Sequence, residues 1–583
     1  MQTKPDSLLV KFGGKTGEGI DSTGEMLGYI AKESGLHVNT FRTFPPVIVG
    51  GRTAYEIHMA ARPVFARGDH VHLLIAFDQD SMDLLIGETA EGALVLYDAD
   101  QVEEIPSPGH GVQLVDVPLQ KMAKDLGNPI VRNMIALGIV IKQLGLSLDV
   151  AKRVITEKFG SKGEKVVQLN HRAVEAGYQY EDSRLGRSFQ FDVPKDQTQS
   201  LLFLSGNEAM AFGALAADCK VFAGYPITPA SDIMEWLAKY LPAFGGKLIQ
   251  MEDEIGALCA VIGANYAGVR AMTATSGPGI SLMTEALGLA GMTETPAVII
   301  DAQRPGPSAG QPTKHEQSDV KHLIYGSHGE FPRIVIAPGT VQESFEAIVA
   351  AFNMADKYQC PVLIASDQDL ALRKQTVPEE AFDLKKVKID RGKMADPAQA
   401  ENYKRYLATE DGISPRAFPG QAGLIFLASG DEHDEDGSID VDLPEVRAKM
   451  VEKRMRKLEK MSGEDFEPIK VHGHSSARYV IVGMGSTTGP ILEVLARRPE
   501  LTYLQIRRLW PFPSDEVEPI LAASEKIMVV EHNYQGQLAQ LIRSEVNLDV
   551  RNRLHSITKY DGTPFRPAEL LKEVEGCLAI RTS

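Results

Sequence analysis

Residues 225–232 read Tyr-Pro-Ile-Thr-Pro-Ala-Ser-Asp and hold one hydroxyl, Thr228, between two prolines. Proline fixes its own φ at about −65° and restricts the residue before it, so this loop is stiff and Thr228 is confined. Two other stretches place charge where chemistry could use it. In the run Glu252-Asp253-Glu254, the first two residues suit a helix start, where acidic groups complement the helix dipole. Glu254 abuts the apolar, small-residue face that follows, and a carboxylate there is costly unless a donor or a ligand satisfies it. Arg304 and Thr313 flank Pro-Gly-Pro-Ser-Ala-Gly-Gln-Pro, a loop too rich in glycine and proline to be helix or strand. A guanidinium can grip a carboxylate through two parallel hydrogen bonds, and a hydroxyl can add another donor. Taken alone, the loop is read more simply as carrying a surface arginine.

A glycine-rich turn near the start, Phe12-Gly-Gly-Lys-Thr-Gly-Glu-Gly-Ile-Asp-Ser-Thr-Gly24, invites a phosphate-binding reading. It fails two familiar patterns. A Walker A loop needs glycine where Leu9 stands, and a dinucleotide fingerprint needs its third glycine where Ser22 stands. Backbone amides at the helix start, with Lys15, could still hold an anion, and a tight turn accounts for the glycines equally well.

Behind these loops must stand elements that aim them. The pattern is one of short apolar strands followed by amphipathic helices: 8–12 before 22–35, then 201–205, 221–228, 247–251, 271–276 and 296–303, each leading into a helical pattern or a loop. Repeated units of this kind predict α/β domains with mostly parallel sheets, whose ligands sit at the carboxyl ends of the strands. The Tyr-Pro-Ile-Thr-Pro loop, the Thr275-Ser-Gly-Pro-Gly279 turn and the 304–313 loop all fall at such ends. The polar stretch 181–200 reads as a linker. From 373 to 475 the pattern decays into charge, with an acidic run at 431–436 and a basic helical pattern at 446–460, read as solvated loop and surface helix.

The chain of 583 residues exceeds a single core, and a composition of 43% hydrophobic and 24% charged residues is that of a folded globular protein. Its net charge of −17 argues against nucleic acid as a partner. No apolar run approaches the roughly 20 residues of a membrane span, and the start lacks signal-peptide features, so a cytoplasmic location and no membrane contact are expected. Cys219, Cys259, Cys360 and Cys577 are far apart and form no cluster-binding framework; they read as structural residues.

Taken together, Gly224–Asp232, Met251–Gly268 with Thr273–Gly279, and Arg304–Asp319 resemble the 2-oxoacid:ferredoxin oxidoreductases, in the form where γ and α parts are fused. The resemblance is strongest to the alpha subunit of the 2-oxoglutarate enzymes. It covers nearly the whole chain: a γ-type α/β domain at 1–190, a thiamine diphosphate pyrimidine-binding doubly wound domain at 191–372, a charged insert at 373–475 and a transketolase C-terminal-like α/β domain at 476–583. It implies that Thr228 helps bind the 2-oxoacid, that Arg304 and Thr313 grip its C1 carboxylate, and that Tyr225, Pro226, Ile227 and Glu254 line the cofactor, Glu254 at the aminopyrimidine ring. The implied reaction is oxidative decarboxylation of 2-oxoglutarate with coenzyme A to succinyl-CoA and carbon dioxide, with ferredoxin as electron acceptor; run backwards, it fixes carbon dioxide. Lys314 and His315 could meet a distal carboxylate, although solvent-facing loop residues are the simpler reading.

The diphosphate half of such a site carries a Gly-Asp-Gly motif, which this chain lacks. The resemblance therefore implies a smaller β subunit holding the diphosphate, Mg²⁺ and a 4Fe-4S cluster, in an (αβ)₂ assembly. One departure is that Arg52 follows Gly50 and Gly51, where the γ part commonly has arginine before a glycine pair, so no residue-level role is carried into that domain. Other readings stay open: pyruvate or a branched 2-oxoacid as substrate, a nicotinamide-dependent dehydrogenase, or a non-catalytic assembly subunit.

Overall fold

The computed structural model describes residues 7–45, 51–185, 189, 199–474 and 478–579; Gly50 and most of the expected linker at 181–200 lie outside them. The α/β expectation holds. Two compact units emerge, one from the described residues through Leu204 with Leu372–Ala381 and Arg566–Leu571, the other from the remainder.

The first unit is built on an eight-stranded mixed sheet among the described residues, in the order Gln113–Asp116, Thr89–Tyr97, Val71–Ala76, Ser7–Lys15, Arg52–Ala60, His37–Thr43, Lys374–Pro378 and Leu201–Ser205. Ser7–Lys15 pairs parallel to Val71–Ala76 and antiparallel to Arg52–Ala60. Its core joins Phe12, Ile57, Leu73 and Leu96 to the helix Arg132–Leu144. The glycine-rich turn connects Ser7–Lys15 to the helix Ile20–Glu33. Gly17 and Gly19 have φ of 90° and 84°, a left-handed backbone that side chains disfavour, so the turn itself requires both glycines.

The second unit contains two sheets. Seven strands run in the order Arg508–Trp510, Ile334–Ile336, Pro361–Asp367, Ala297–Gln303, Ala271–Thr275, Val221–Gly224 and Lys247–Gln250. Among the described residues the strands of this sheet pair in parallel, except the edge strand Arg508–Trp510, which is antiparallel to Ile334–Ile336. A further sheet orders Ile469–Gly473, Thr502–Ile506, Tyr479–Gly483, Lys526–Glu531 and Leu554–Thr558; with its helices it is called the C-terminal lobe below. One core runs through both, from Leu258, Met283 and Ile299 to Val482, Leu504 and Ile527. No helix among the described residues is long and apolar enough to cross a membrane.

The basic helical pattern near residue 450 is not the solvated surface helix that its charge suggests. The helix Pro444–Arg456 buries Met450, Lys453 and Arg454, and Lys457 follows them inside. Their charge is met by acid rather than by water: Glu294, 0% exposed, lies 2.6 Å from Lys453 Nζ and 2.5 Å from Lys457 Nζ, and Arg454 donates to Glu432 over 2.9 Å. Although burial alone would raise it, the two ammonium groups hold the Glu294 carboxyl well below its ordinary value of 4.5. Its contribution is therefore complete above that value and is lost as pH falls towards the depressed one. Removing one member of such a cluster strands the others, at about 3–5 kcal/mol. Glu294→Ala should lower the denaturant midpoint accordingly at pH 7, while Glu294→Leu combined with Lys453→Met and Lys457→Met should recover it. An unchanged midpoint in the single variant would show that water solvates these lysines.

Candidate active site

Four neighbouring parallel strands bring the singled-out residues to one sheet edge. Lys247–Gln250, Val221–Gly224, Ala271–Thr275 and Ala297–Gln303 lie side by side, so their carboxyl ends align. Glu254, Thr228, the Gly277–Gly279 turn and Arg304 follow them in that order. Parallel sheets place their binding loops here because strand and helix ends meet at this edge.

The Tyr-Pro-Ile-Thr-Pro loop is fixed from below. Asn207, fully buried, donates from Nδ2 to Pro229 O over 2.8 Å, and Ser231 N donates to Ile227 O over 3.1 Å. The Thr228–Pro229 peptide is cis. Tyr225 is 41% exposed, Pro226 is exposed, and Ile227 and Thr228 are half-buried, so the loop presents an open aromatic and aliphatic face.

Arg304 is not a surface arginine. It is 7% exposed and donates from Nη1 to Thr228 O over 2.6 Å, which joins two residues far apart in sequence. Its buried Nε has no hydrogen-bond partner among the described residues. Burial lowers its pKa, an effect opposed by Asp319. A buried guanidinium that meets a carbonyl and keeps a donor unused is poised for an anion. Thr313 is also buried, and its carbonyl accepts from Gln368 Nε2 over 3.3 Å.

Glu254 opens the helix Glu254–Tyr266, behind Asp253, whose carboxylate accepts from Gly256 N over 2.7 Å. Asp253 thus caps the helix, and Glu254 turns inward, 5% exposed, with no hydrogen bond to its carboxylate among the described residues. It closes on the Thr-Ser-Gly-Pro-Gly turn: a Cβ on Gly279 would stand 2.6 Å from Glu254 Oε1 and 2.0 Å from Thr275 Oγ1. A Cβ on Gly277 would stand 2.6 Å from Asp319 Oδ2. The glycines of that turn are there because two carboxylates and a hydroxyl occupy the space of a side chain.

Residues of the site that the sequence reading passed over are Asn207, Asp301, Gln368 and Asp319. Asp301 is fully buried with both oxygens unpartnered among the described residues, and burial, then Asp319, raises its pKa well above 3.8. Asp319 is pushed up to about 6 by burial and Glu316, against the pull of Arg304. Asp319 belonged to the quoted motif, so its presence was visible and its burial was not. His315 also departs from its solvent-facing reading: it is 1% exposed, accepts from Asp369 N at Nδ1 over 3.4 Å, and has Nε2 3.4 Å from Ser486 Oγ. Polar and ring partners take the place of solvent: the His532 ring packs edge-on at 4.3 Å, and Asp367 Oδ1 stands 3.8 Å from Nδ1. Lys314 stays half-buried. Burial pushes the thiols of Cys219 and Cys360 up to about 12, and no group of three or more His, Cys, Asp or Glu is placed to hold a metal among the described residues.

The arrangement has known counterparts. The family profile for pyruvate ferredoxin/flavodoxin oxidoreductase matches residues 10–180. The thiamine diphosphate-binding profile of pyruvate flavodoxin/ferredoxin oxidoreductase matches 212–453, and the profile of pyruvate:ferredoxin oxidoreductase core domain II matches 477–570. The chain is 34% identical to a 2-oxoacid:ferredoxin oxidoreductase subunit alpha of a Sulfolobus species, over 96% of this chain and 95% of the relative. It is 31% identical to the 2-oxoglutarate oxidoreductase subunit KorA of Mycobacterium tuberculosis, over 99% of this chain and 92% of the relative. Among solved structures it resembles the 2-oxoglutarate:ferredoxin oxidoreductase of Magnetococcus marinus with 2-oxoglutarate, coenzyme A and succinyl-CoA bound. The TM-score is 0.91 at 34% identity, over 98% of this chain and 100% of that one.

Proposed function

Since this chain belongs to the 2-oxoacid:ferredoxin oxidoreductase family, we propose that it is the alpha subunit of an enzyme that takes 2-oxoglutarate and coenzyme A to succinyl-CoA and carbon dioxide, reducing ferredoxin. The observation that carries this reading is the buried Arg304, bonded to Thr228 O with its Nε unused. In it, Arg304 and Thr313 hold the C1 carboxylate and the Thr228 hydroxyl orients the 2-oxo group. Lys314, half-buried at the same strap, is the group we assign to the distal carboxylate.

The cofactor reading rests on Glu254. A buried carboxylate without a donor, beside a turn that only glycine fits, suits the aminopyrimidine ring of thiamine diphosphate, whose N1′ the carboxyl group would meet. Tyr225, Pro226 and Ile227 would pack against that ring. Bound there, thiamine diphosphate supplies the nucleophilic carbon and the electron sink that decarboxylation of a 2-oxoacid requires. With the cofactor bound, Glu254 would exchange a proton with the aminopyrimidine ring, Arg304 would fix the carboxylate that leaves, and the stiff Thr228 loop would keep the substrate in one orientation.

The diphosphate, Mg²⁺ and a 4Fe-4S cluster are assigned to a β subunit, with two αβ pairs associating. Purified alone, this chain should be colourless and should reduce no viologen dye with any 2-oxoacid; with the β subunit it should turn brown and reduce the dye. Activity in the single chain would dismiss the divided site. Substrate profiling of the complex tests the specificity. A site with a cation for a second carboxylate should disfavour pyruvate and branched 2-oxoacids strongly, and equal kcat/KM values would remove 2-oxoglutarate from the assignment.

A further inference from the structure

The strap from Arg304 to Asp319 leaves the sheet and returns to it through two polar contacts, where Asp319 N donates to Gln303 Oε1 over 3.0 Å and Gln317 Nε2 donates to Asp367 Oδ2 over 2.8 Å. Between these ends it holds itself weakly: Gln311 N donates to Pro305 O and Lys314 N to Gln311 O, each over 3.1 Å. Residues 306–311 are exposed, so little apolar burial fixes them. Ordering each backbone residue costs about 1–2 kcal/mol, and something else must offset that cost.

Part of the offset comes from the turn after the strand Pro361–Asp367, where Gln368 Nε2 donates to Thr313 O over 3.3 Å and Asp369 N donates to His315 Nδ1 over 3.4 Å; the C-terminal lobe supplies more. His315 N donates to Gly562 O over 3.0 Å, and Gln317 N donates to His532 O over 2.6 Å. In return His532 N donates to Gln317 Oε1 over 3.2 Å, and Asn533 Nδ2 donates to Gln317 O over 3.1 Å. Beyond them Gln537 Nε2 donates to Ser318 O over 2.7 Å, and Lys321 N donates to Gln537 Oε1 over 3.0 Å. Both ends of the Gln537 amide are thus used on residues 318 and 321. Neither of these two bonds serves its own helix, Gln537–Glu545, so the contact acts on the strap and the turn that follows it.

We propose that the C-terminal lobe is the scaffold that positions the 2-oxoacid clamp, and that Gln537 is its positioning residue, gripping the strap where it re-enters beside Arg304. The proposal rests on the reading of Arg304 and Thr313 as the clamp. It gives the lobe a part in substrate recognition without contact with the substrate. Gln537 sets the place of the strap's return, and the strap carries Arg304 at one end and Thr313 and Lys314 within it.

The test uses the complex reconstituted with its β subunit. Gln537→Leu keeps a helix-forming side chain of similar size and removes both the bond to the strap at Ser318 O and the bond from Lys321 N just beyond it. Gln537→Glu keeps the acceptor for Lys321 N and loses the donor to Ser318 O. For 2-oxoglutarate, kcat/KM should fall between about 10- and 100-fold in the leucine variant, chiefly through KM, and less in the glutamate variant. Thiamine diphosphate affinity should stay within about twofold, and amide hydrogen exchange should quicken across 308–318. A variant that melts earlier with KM and strap exchange unchanged would overturn the proposal, as would equal losses of substrate and cofactor affinity. Arg304→Ala, measured in parallel, separates the two readings. If it raises KM and Gln537→Leu does not, only the scaffold fails; if it leaves KM unchanged, the clamp reading fails and the scaffold with it.

Discussion

Glu254→Gln should abolish turnover of the reconstituted complex, by about 100-fold or more, while thiamine diphosphate still binds. The residue is 5% exposed, and its oxygen stands where a Cβ on Gly279 would collide. Nothing among the described residues donates to it. Glutamine has the same shape and still accepts a hydrogen bond, so the helix start, capped separately by Asp253, should survive. What glutamine lacks is a proton that can be exchanged with N1′. The expected signature is therefore unchanged or raised thermal stability, near-normal cofactor affinity by titration calorimetry, and no 2-oxoacid-dependent dye reduction. Retained turnover would leave Glu254 a helix-start acid and would favour an assembly role for this chain. Lost cofactor binding with lost turnover would instead place it as a holding group only.

How much of this site could be read from sequence depends on what held each residue. The strands ending at Gly224, Gln250, Thr275 and Gln303 were legible because each is a short apolar run followed by a helical period. His37–Thr43 and Arg52–Ala60 were not read as strands. They are buried on both faces yet carry Asn39, Glu56 and His58, so their hydrophobic pattern is broken by polar residues whose partners are distant. Glu56 meets Lys11 over 2.8 Å and Arg67 over 2.5 Å, pairings that no local pattern reveals. The same limit hid the inward face of Pro444–Arg456, where charge density spoke for solvent and Glu294 decided otherwise. His315 went astray similarly, because a Gly- and Pro-rich strap looks exposed until the C-terminal lobe covers one side of it. Motif spacing singled out the candidate residues, and long-range partners determined their burial.

The second large effect concerns the clamp itself. Arg304→Ala should lower kcat/KM for 2-oxoglutarate by about 100-fold or more, through a higher KM together with a slower kcat. Hydrogen bonds to charged groups are worth about 1.5–3 kcal/mol each, and a bidentate grip on a carboxylate involves two. Both constants should change because one contact binds the substrate and holds the bond that breaks. Arg304→Lys should recover little, since an ammonium cannot present two parallel donors. There is a structural complication to separate out: Arg304 also donates to Thr228 O, so its loss could act by loosening the Tyr-Pro-Ile-Thr-Pro loop. Thr228→Val resolves this. It removes the hydroxyl and leaves the carbonyl that accepts from Arg304, so a defect in Thr228→Val reports the hydroxyl alone. If Arg304→Ala merely weakens the loop, its losses should include thiamine diphosphate affinity, because Tyr225 and Ile227 belong to the same loop. If Arg304 holds the carboxylate, cofactor affinity should stay near normal, and an inert dicarboxylate such as glutarate should lose its inhibition in parallel with substrate. Cofactor loss without loss of dicarboxylate binding would transfer the clamp to another residue.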